Sequence, residues 1–338
     1  MNDRYESNAT LDEIATRLRS SRRVILTTHA KPDGDALGSS LALGLVLDQL
    51  GIETQIWYMP PVPAMFKPLL AGMDVRLADG SHLPDPDYDD LVVVLDTGAV
   101  PQLSHIYPWL ETRTDHIIVL DHHIEGDVGV ADMRYVDRTA AATAEIVADL
   151  IDCLGDGPDR RTAEALFLGI ASDTGWFRYS NVTPRTFEHA ARLLRAGVDH
   201  YAIHDMSDQQ HQKSRLDLMG RALASLELAL DGRLAIMQLT QDDYRESGAS
   251  IEDGHGFSEL PQQIGTVKVS CLMAQNRSDH VKFSLRSKAG ADAIDVNELA
   301  KRFKGGGHAL AAGARFQGTL DEAKLALIQE VAQILGTD

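Results

Sequence analysis

Cysteine is nearly missing from this 338-residue chain, which has only Cys153, in a helical pattern, and Cys271, in a strand pattern. Neither sits in a CxxC or Cys/His spacing, so a disulfide scaffold and a thiolate zinc site are excluded. Both thiols are expected to be buried and free. Long apolar runs are missing too: the longest, Leu37 to Leu47, is stopped by Asp48, short of the roughly eighteen residues of a membrane helix. The polar opening MNDRYESNATLDE has neither the apolar centre of a signal peptide nor an arginine-rich transit pattern. A cytoplasmic protein with no membrane partner is therefore expected. Positive charge is also short, since 50 Asp/Glu outweigh 32 Lys/Arg and leave a formal net charge of −18. Long duplex nucleic acid needs a cationic surface and is a poor partner for such a chain. Any polyanionic substrate must be small or locally bound.

What is present is a soluble composition, 44% hydrophobic and 24% charged, on a chain long enough for two cores. The first half alternates apolar runs (Val24–Thr28, Thr54–Tyr58, Leu91–Leu95, Ile117–Leu120) with helical patterns (Ala36–Leu50, Ala141–Leu154, Pro184–Ala196). That alternation predicts an α/β fold, with a parallel sheet in an N-terminal domain over 1–197. The polar segment 198–215 reads as a connection between domains. Beyond it, strand patterns at Arg233–Leu239, Lys268–Ala274 and His280–Arg286 precede helices at Ile294–Phe303 and Leu320–Leu335. Asn276–Asp279 reads as a hairpin turn. A smaller α+β domain is expected over 216–338.

Ionisable residues gather where the apolar runs end. HAKPDGD, from His29 through Asp33 to Asp35, follows the first run; Asp96 follows the third; and Asp121, His122 and His123 follow the fourth. Asp173 ends a helical run and could close over the same edge. Carboxyl ends of strands are where open α/β sheets bind ligands. Carboxylates crowded there repel one another unless cations neutralise them, and imidazoles among them suit divalent transition metals. Asp and His ligands without thiolate favour Mn²⁺, with Mg²⁺, Co²⁺ or Fe²⁺ as the other choices. Any one of these aspartates taken alone would read as a helix cap or turn. The ordered set carries the inference.

The motifs HAKPDGDALGS, VLDTG, LDHH and GIASDTGWFR, in this order, resemble those of the DHH phosphoesterases. The resemblance extends to Ser284 and Arg286, and to the run Gly305, Gly306, Gly307 and His308, which look like the DHH-associated substrate-binding domain. It implies one metal held by His29, Asp33 and Asp96, and a second held by Asp35, Asp96, His122 and Asp173. Asp96 would then be a bridging catalytic ligand. A metal-activated water would attack phosphorus, with His123 facing the substrate as a phosphoryl contact or proton carrier; a supporting hydrogen bond is the competing role for His123.

In the second domain the glycines would let backbone amides approach a phosphate, beside a small-residue run from Ala309 to Gly313. Lys268 to Gln317 carries nine Lys/Arg against four Asp/Glu, so a locally cationic stretch exists within the acidic chain. Arg286, on the same strand face as Ser284, is the expected phosphate clamp. Arg178 is a further phosphate contact, with a salt bridge as its plain alternative.

Chains of this length and domain content look most like bacterial enzymes that hydrolyse short single-stranded oligoribonucleotides and 3′-phosphoadenosine 5′-phosphate, as homodimers. Pyrophosphate or polyphosphate hydrolysis, cleavage of linear or cyclic dinucleotides, and non-catalytic nucleotide sensing are the alternatives. His105, His189, His200, His204, His211, His255 and His280 lack ligand spacing and are expected at the surface or in local hydrogen bonds.

Overall fold

Six strands organise the first part of the chain: β1 (Arg23–Thr28), β2 (Glu53–Tyr58), β3 (Asp74–Leu77), β4 (Leu91–Leu95), β5 (Ile117–Asp121) and β6 (Met133–Val136). They pair entirely in parallel, in the order β3-β2-β1-β4-β5-β6. The central strands β4 and β5 are buried at every residue, as parallel strands covered on both faces must be. The computed structural model describes residues 4–336 apart from 79–82, 84–89, 114–115 and 156.

Around this sheet lie α1 (Leu11–Arg19), α2 (Gly34–Gln49), α3 (Tyr107–Leu110), α4 (Thr143–Leu154), α5 (Arg160–Asp173), α6 (Pro184–Arg195) and α7 (His200–Asp208). One sheet face, with Val24, Leu26, Val93 and Leu95, packs against α1, α2, α4 and α5. The other, with Ile25, Val92 and Val94, packs against Trp57, Trp109 and Tyr5. The longest apolar run of the sequence is α2, buried at every residue from Gly34 to Leu47. A helix apolar all round belongs inside a protein. Its contact with α5 is unusually close, because a Cβ on Gly38 would collide with the Ala165 carbonyl. One on Gly169 would come within 2.6 Å of Ala144 Cβ and 2.8 Å of Asp35 Oδ1. These two glycines set the separation of the helices that carry Asp35 and Asp173.

The chain divides into two compact units between Gln210 and His211. The segment 198–215, read as a connection, is instead mostly helical. Asp199 caps α7 by accepting from the amide of Ala202, and Ile203 is buried. A second helix, α8 (Lys213–Ala224), already starts inside the segment. Its polar composition hid α7, whose only buried residue is Ile203.

The second unit holds α8, α9 (Gln241–Ser247), α10 (Val296–Arg302), α11 (Leu320–Leu335) and the strands β7 (Glu227–Ala229), β8 (Leu234–Leu239), β9 (Val269–Arg277), β10 (His280–Ser287), β11 (Gly306–His308) and β12 (Ala311–Gln317). The sheet order is β11-β12-β10-β9-β8-β7, antiparallel except for β8 beside β9. Its core joins Ile236, Cys271, Phe283 and Leu285 to Leu299 of α10 and Leu327 of α11. The α/β class with a second, mixed-sheet domain is thus what the chain adopts.

Two expectations need correction. The small-residue run from Ala309 to Gly313 is not a loop throughout, since β12 begins at Ala311 and pairs with β10. Cys153 is only partly buried, unlike Cys271. Among the described residues no helix is long and apolar enough to cross a membrane.

Candidate metal centre

The order β3-β2-β1-β4-β5-β6 reverses direction between β1 and β4, and at such a switch point the loops leaving the two strands part to open a crevice. His29 directly follows β1 and Asp96 directly follows β4, so both stand at that crevice; His122 and His123 leave the neighbouring β5. From the helical layer, Asp33 caps α2, Asp35 lies in its first turn and Asp173 ends α5. The backbone at Asp96 has φ +63°, a conformation that an L-residue adopts only when its surroundings impose it.

Two triads result. Ligand atoms of His29, Asp33 and Asp96 lie within 4.8 Å of one another, and so do those of Asp35, His122 and Asp173. Asp96 joins them, with Oδ2 at 3.4 Å from His29 Nε2 and Oδ1 at 3.5 Å from His122 Nε2. Asp173 Oδ2 stands 3.2 Å from the same His122 nitrogen. Of the other expected site residues, His123 adjoins the group through Nδ1, 3.9 Å from Asp96 Oδ1.

Hydrogen bonds fix the orientation of these side chains. His29 Nδ1 faces the Ala30 carbonyl at 3.0 Å and His122 Nδ1 faces the Ala140 carbonyl at 3.3 Å. A carbonyl only accepts, so the neutral rings hold their proton on Nδ1 and turn the Nε2 lone pair inward. Asp35 is buried and accepts the amides of Thr143 and Ala144 at 2.6 and 2.9 Å, at the positive end of α4. Thr143 Oγ1 donates to Asp96 Oδ1 at 3.0 Å. One threonine therefore touches a carboxylate from each triad.

The electrostatics show what the arrangement lacks without a cation. Burial, with Asp96 and Asp173 nearby, pushes Asp35 well above the usual carboxylate range. Burial likewise raises Asp173, to about 6, even though His122 opposes it. Burial alone would lower His29, but the carboxylates of Asp33 and Asp96 overcome it and raise the imidazole to about 11. Protons thus take up charge that a divalent ion would neutralise better. The fit is also visible in a single atom: His122 Nε2 is buried between Asp173 Oδ2 at 3.2 Å and Asp96 Oδ1 at 3.5 Å without a well-directed hydrogen bond to either, and a cation coordinated by all three would satisfy it. The donor set fits divalent cations.

The comparisons agree with this geometry. Residues 23–170 match the N-terminal domain of the DHH family, and residues 255–337 match the DHHA1 domain. The chain is 33% identical over 317 residues, 92% of its own length and 90% of the relative's, to the bifunctional oligoribonuclease and PAP phosphatase NrnA of Thermus thermophilus. The chain belongs to the DHH phosphoesterase family. A solved exopolyphosphatase-related protein from Bacteroides fragilis superposes with TM-score 0.88 at 26% identity, covering 96% of this chain and 95% of that one. RecJ of Thermus thermophilus, solved with Mn²⁺, shares the fold at TM-score 0.54 and 16% identity over 96% of this chain and 54% of its own.

Away from the two triads of this DHH phosphoesterase the expected residues are engaged in contacts of their own. Arg178 follows a turn in which Gly175, Trp176 and Phe177 all have positive φ, and its Nε donates to the Gly175 carbonyl at 2.6 Å. In the second unit Ser284 and Arg286 do share a face of β10, but Arg286 Nε lies 3.3 Å from Glu259 Oε1. Gly306 to His308 form the exposed edge strand β11 rather than a free loop. A Cβ on Gly305 would collide with the Gly313 carbonyl, and one on Gly307 would meet that of Ala311 at 2.5 Å. Pairing with β12 therefore explains two of the three glycines.

Sequence reasoning passed over several contributors. Thr143 lies in a plain helical pattern. Asp121 was noted only as the end of a strand, yet its Oδ1 accepts from His123 Nδ1 at 2.6 Å and its Oδ2 from the Tyr5 hydroxyl at 2.6 Å. His105 was expected at the surface or in a local bond. It is buried beside the centre, with neither ring nitrogen hydrogen-bonded, and burial and the charge of His29 lower its pKa.

Proposed function

We propose that this phosphoesterase hydrolyses short single-stranded oligoribonucleotides and 3′-phosphoadenosine 5′-phosphate, with two divalent ions, of which Mn²⁺ suits the donors best. The observation that carries the reading is the pair of triads joined at Asp96, on a chain that aligns almost end to end with a relative named for both activities. When bound, the cations supply Lewis-acid polarisation of the phosphoryl group and a more acidic water.

The chain's own residues do the rest. His29, Asp33 and Asp96 would hold one ion, and Asp35, Asp96, His122 and Asp173 would hold the other. Thr143 fixes Asp35 and Asp96 in register, so that neither of these two carboxylates has to reorganise during turnover. His123, oriented by Asp121, meets the phosphoryl oxygens or carries a proton. Arg178, Ser284, Arg286, His308 and the amides of Gly305 to Gly307 are the substrate contacts of this reading. Arg286 would exchange its half-exposed partner Glu259 for a phosphate.

The deciding experiment gives purified protein Mn²⁺ and a panel of RNA dinucleotides, RNA pentanucleotides, longer RNA, 3′-phosphoadenosine 5′-phosphate, pyrophosphate and polyphosphate, with Asp96→Ala as control. Fast, Asp96-dependent turnover of the short RNAs or the bisphosphate is the expected result. The likeness to an exopolyphosphatase-related protein keeps a second reading open, and turnover confined to pyrophosphate or polyphosphate would establish it instead.

A further inference from the structure

The N-terminal segment ahead of α1 does more than precede the fold. It lies along β6, where the amides of Asn8 and Ala9 donate to the Arg134 carbonyl and Ser7 Oγ exchanges hydrogen bonds with the backbone of Val136. Arg138 Nη2 donates to the Tyr5 carbonyl at 2.7 Å. Held this way, the Tyr5 ring enters a slot that exists because residues 98 and 126 have no side chain. A Cβ on Gly126 would stand 2.5 Å from the ring, and one on Gly98 would overlap its hydroxyl. Tyr5 is 5% exposed, and burial together with the neighbouring Asp121 carboxylate keeps its phenol protonated, hence a donor.

That hydroxyl donates to Asp121 Oδ2 at 2.6 Å. Asp121 is fully buried, and its other oxygen accepts both the amide and Nδ1 of His123, at 3.1 and 2.6 Å. A carboxylate with only one oxygen fixed can swing about its Cβ–Cγ bond. With both fixed, it defines the plane and the tautomer of the imidazole.

We infer that Tyr5 is a positioning residue for the phosphoester hydrolysis, locking Asp121 so that His123 keeps its proton on Nδ1 and offers Nε2 to the substrate. The kinetic side of this role rests on the hydrolase reading above. Gly98 and Gly126, from two different loops, belong to the same device because they make the room for the ring.

Tyr5→Phe tests it, since the ring still fills the slot and only the hydroxyl is lost. The expected result is a fall in kcat of about tenfold with KM changed less than about twofold, as for loss of a group supporting a ligand or catalytic histidine. Mn²⁺ affinity measured by calorimetry should stay at the wild-type value. On an Asp121→Asn background the same substitution should add nothing, because both changes break one chain of hydrogen bonds.

A readout independent of turnover uses ¹⁵N-histidine spectra of the magnesium-loaded protein, with His123 assigned by its loss in His123→Gln. Wild type should show one Nδ1–H tautomer, and Tyr5→Phe a mixture. Unchanged kcat and an unchanged His123 spectrum, with or without a lower melting temperature, would reduce Tyr5 to a structural anchor and overturn the inference. If wild type hydrolyses none of the phosphoesters, the functional reading fails while the spectrum still decides the role of Tyr5.

Discussion

At the metal edge of the first unit, Asp35 and Asp96 are buried and receive N–H and O–H donors from Thr143 and Ala144, and the histidines are braced by backbone carbonyls. In the second unit the residues expected to touch substrate lie on strands that meet water: β11 is exposed throughout, and Arg286 rests against a half-exposed glutamate. Groups that must hold a fixed charge geometry are built into a parallel sheet and its covering helices, where they cannot relax. The groups proposed to admit and release a ligand sit on the antiparallel sheet of the second unit, at the exposed edge strand β11 and on β10 one strand further in from β12. The difference separates turnover from affinity, and four substitutions or conditions can break or sharpen it.

Asp96→Ala removes the carboxylate common to both triads and should abolish turnover together with divalent binding, as seen in initial rates and calorimetry. Gly169→Val forces a side chain against Ala144 and Asp35. Overpacking of this kind costs about 1–3 kcal/mol, so a lower melting temperature should accompany weaker metal binding. Were melting alone affected, the α2–α5 spacing would be unimportant for the site.

The third test is pH. Without metal, His29 titrates near 11 instead of 6.5, so its ionic contacts are complete below pH 6.5 and are lost as pH climbs toward 11. Asp173, raised to about 6, acts in the same direction at lower pH. Chelator-treated protein should therefore melt lower at pH 9 than at pH 6.5. Saturating Mn²⁺ should reverse that order, because the ion must displace the imidazole proton. Only the transition that includes the first unit should move. The smallest effect is expected from Arg286→Lys, a rise in KM of about three- to tenfold with kcat preserved. A matching loss of kcat would place Arg286 with the catalytic edge and erase the contrast.

Much of the first unit was readable because burial on both faces turns a parallel strand into an unbroken apolar run, as in Leu91–Leu95. The edge strands β3 and β6 were not, since neither has a buried residue. The strand β12 escaped notice because Ala311 to Ala314 are too small to signal a strand. The candidate ligand positions were legible for a related reason: each follows a strand or lies at the end of a helix, and such places are marked by local sequence. Thr143, Tyr5 and the Gly38–Gly169 approach carry no local mark. Their meaning depends on partners over a hundred residues away, as with Thr143 and Asp35 or Tyr5 and Asp121.

The anchoring of the segment before α1 also bears on the order in which contacts form during folding. Tyr5 precedes α1, yet its slot and its hydrogen-bond partners come from Gly98, Asp121, Gly126 and Arg138, the last of them 133 residues away. Local helices and neighbouring strands close their loops long before contacts of that span can form. The Tyr5 contacts are in this way among the last to lock, and His123 gains its fixed orientation only when the sheet behind it is finished.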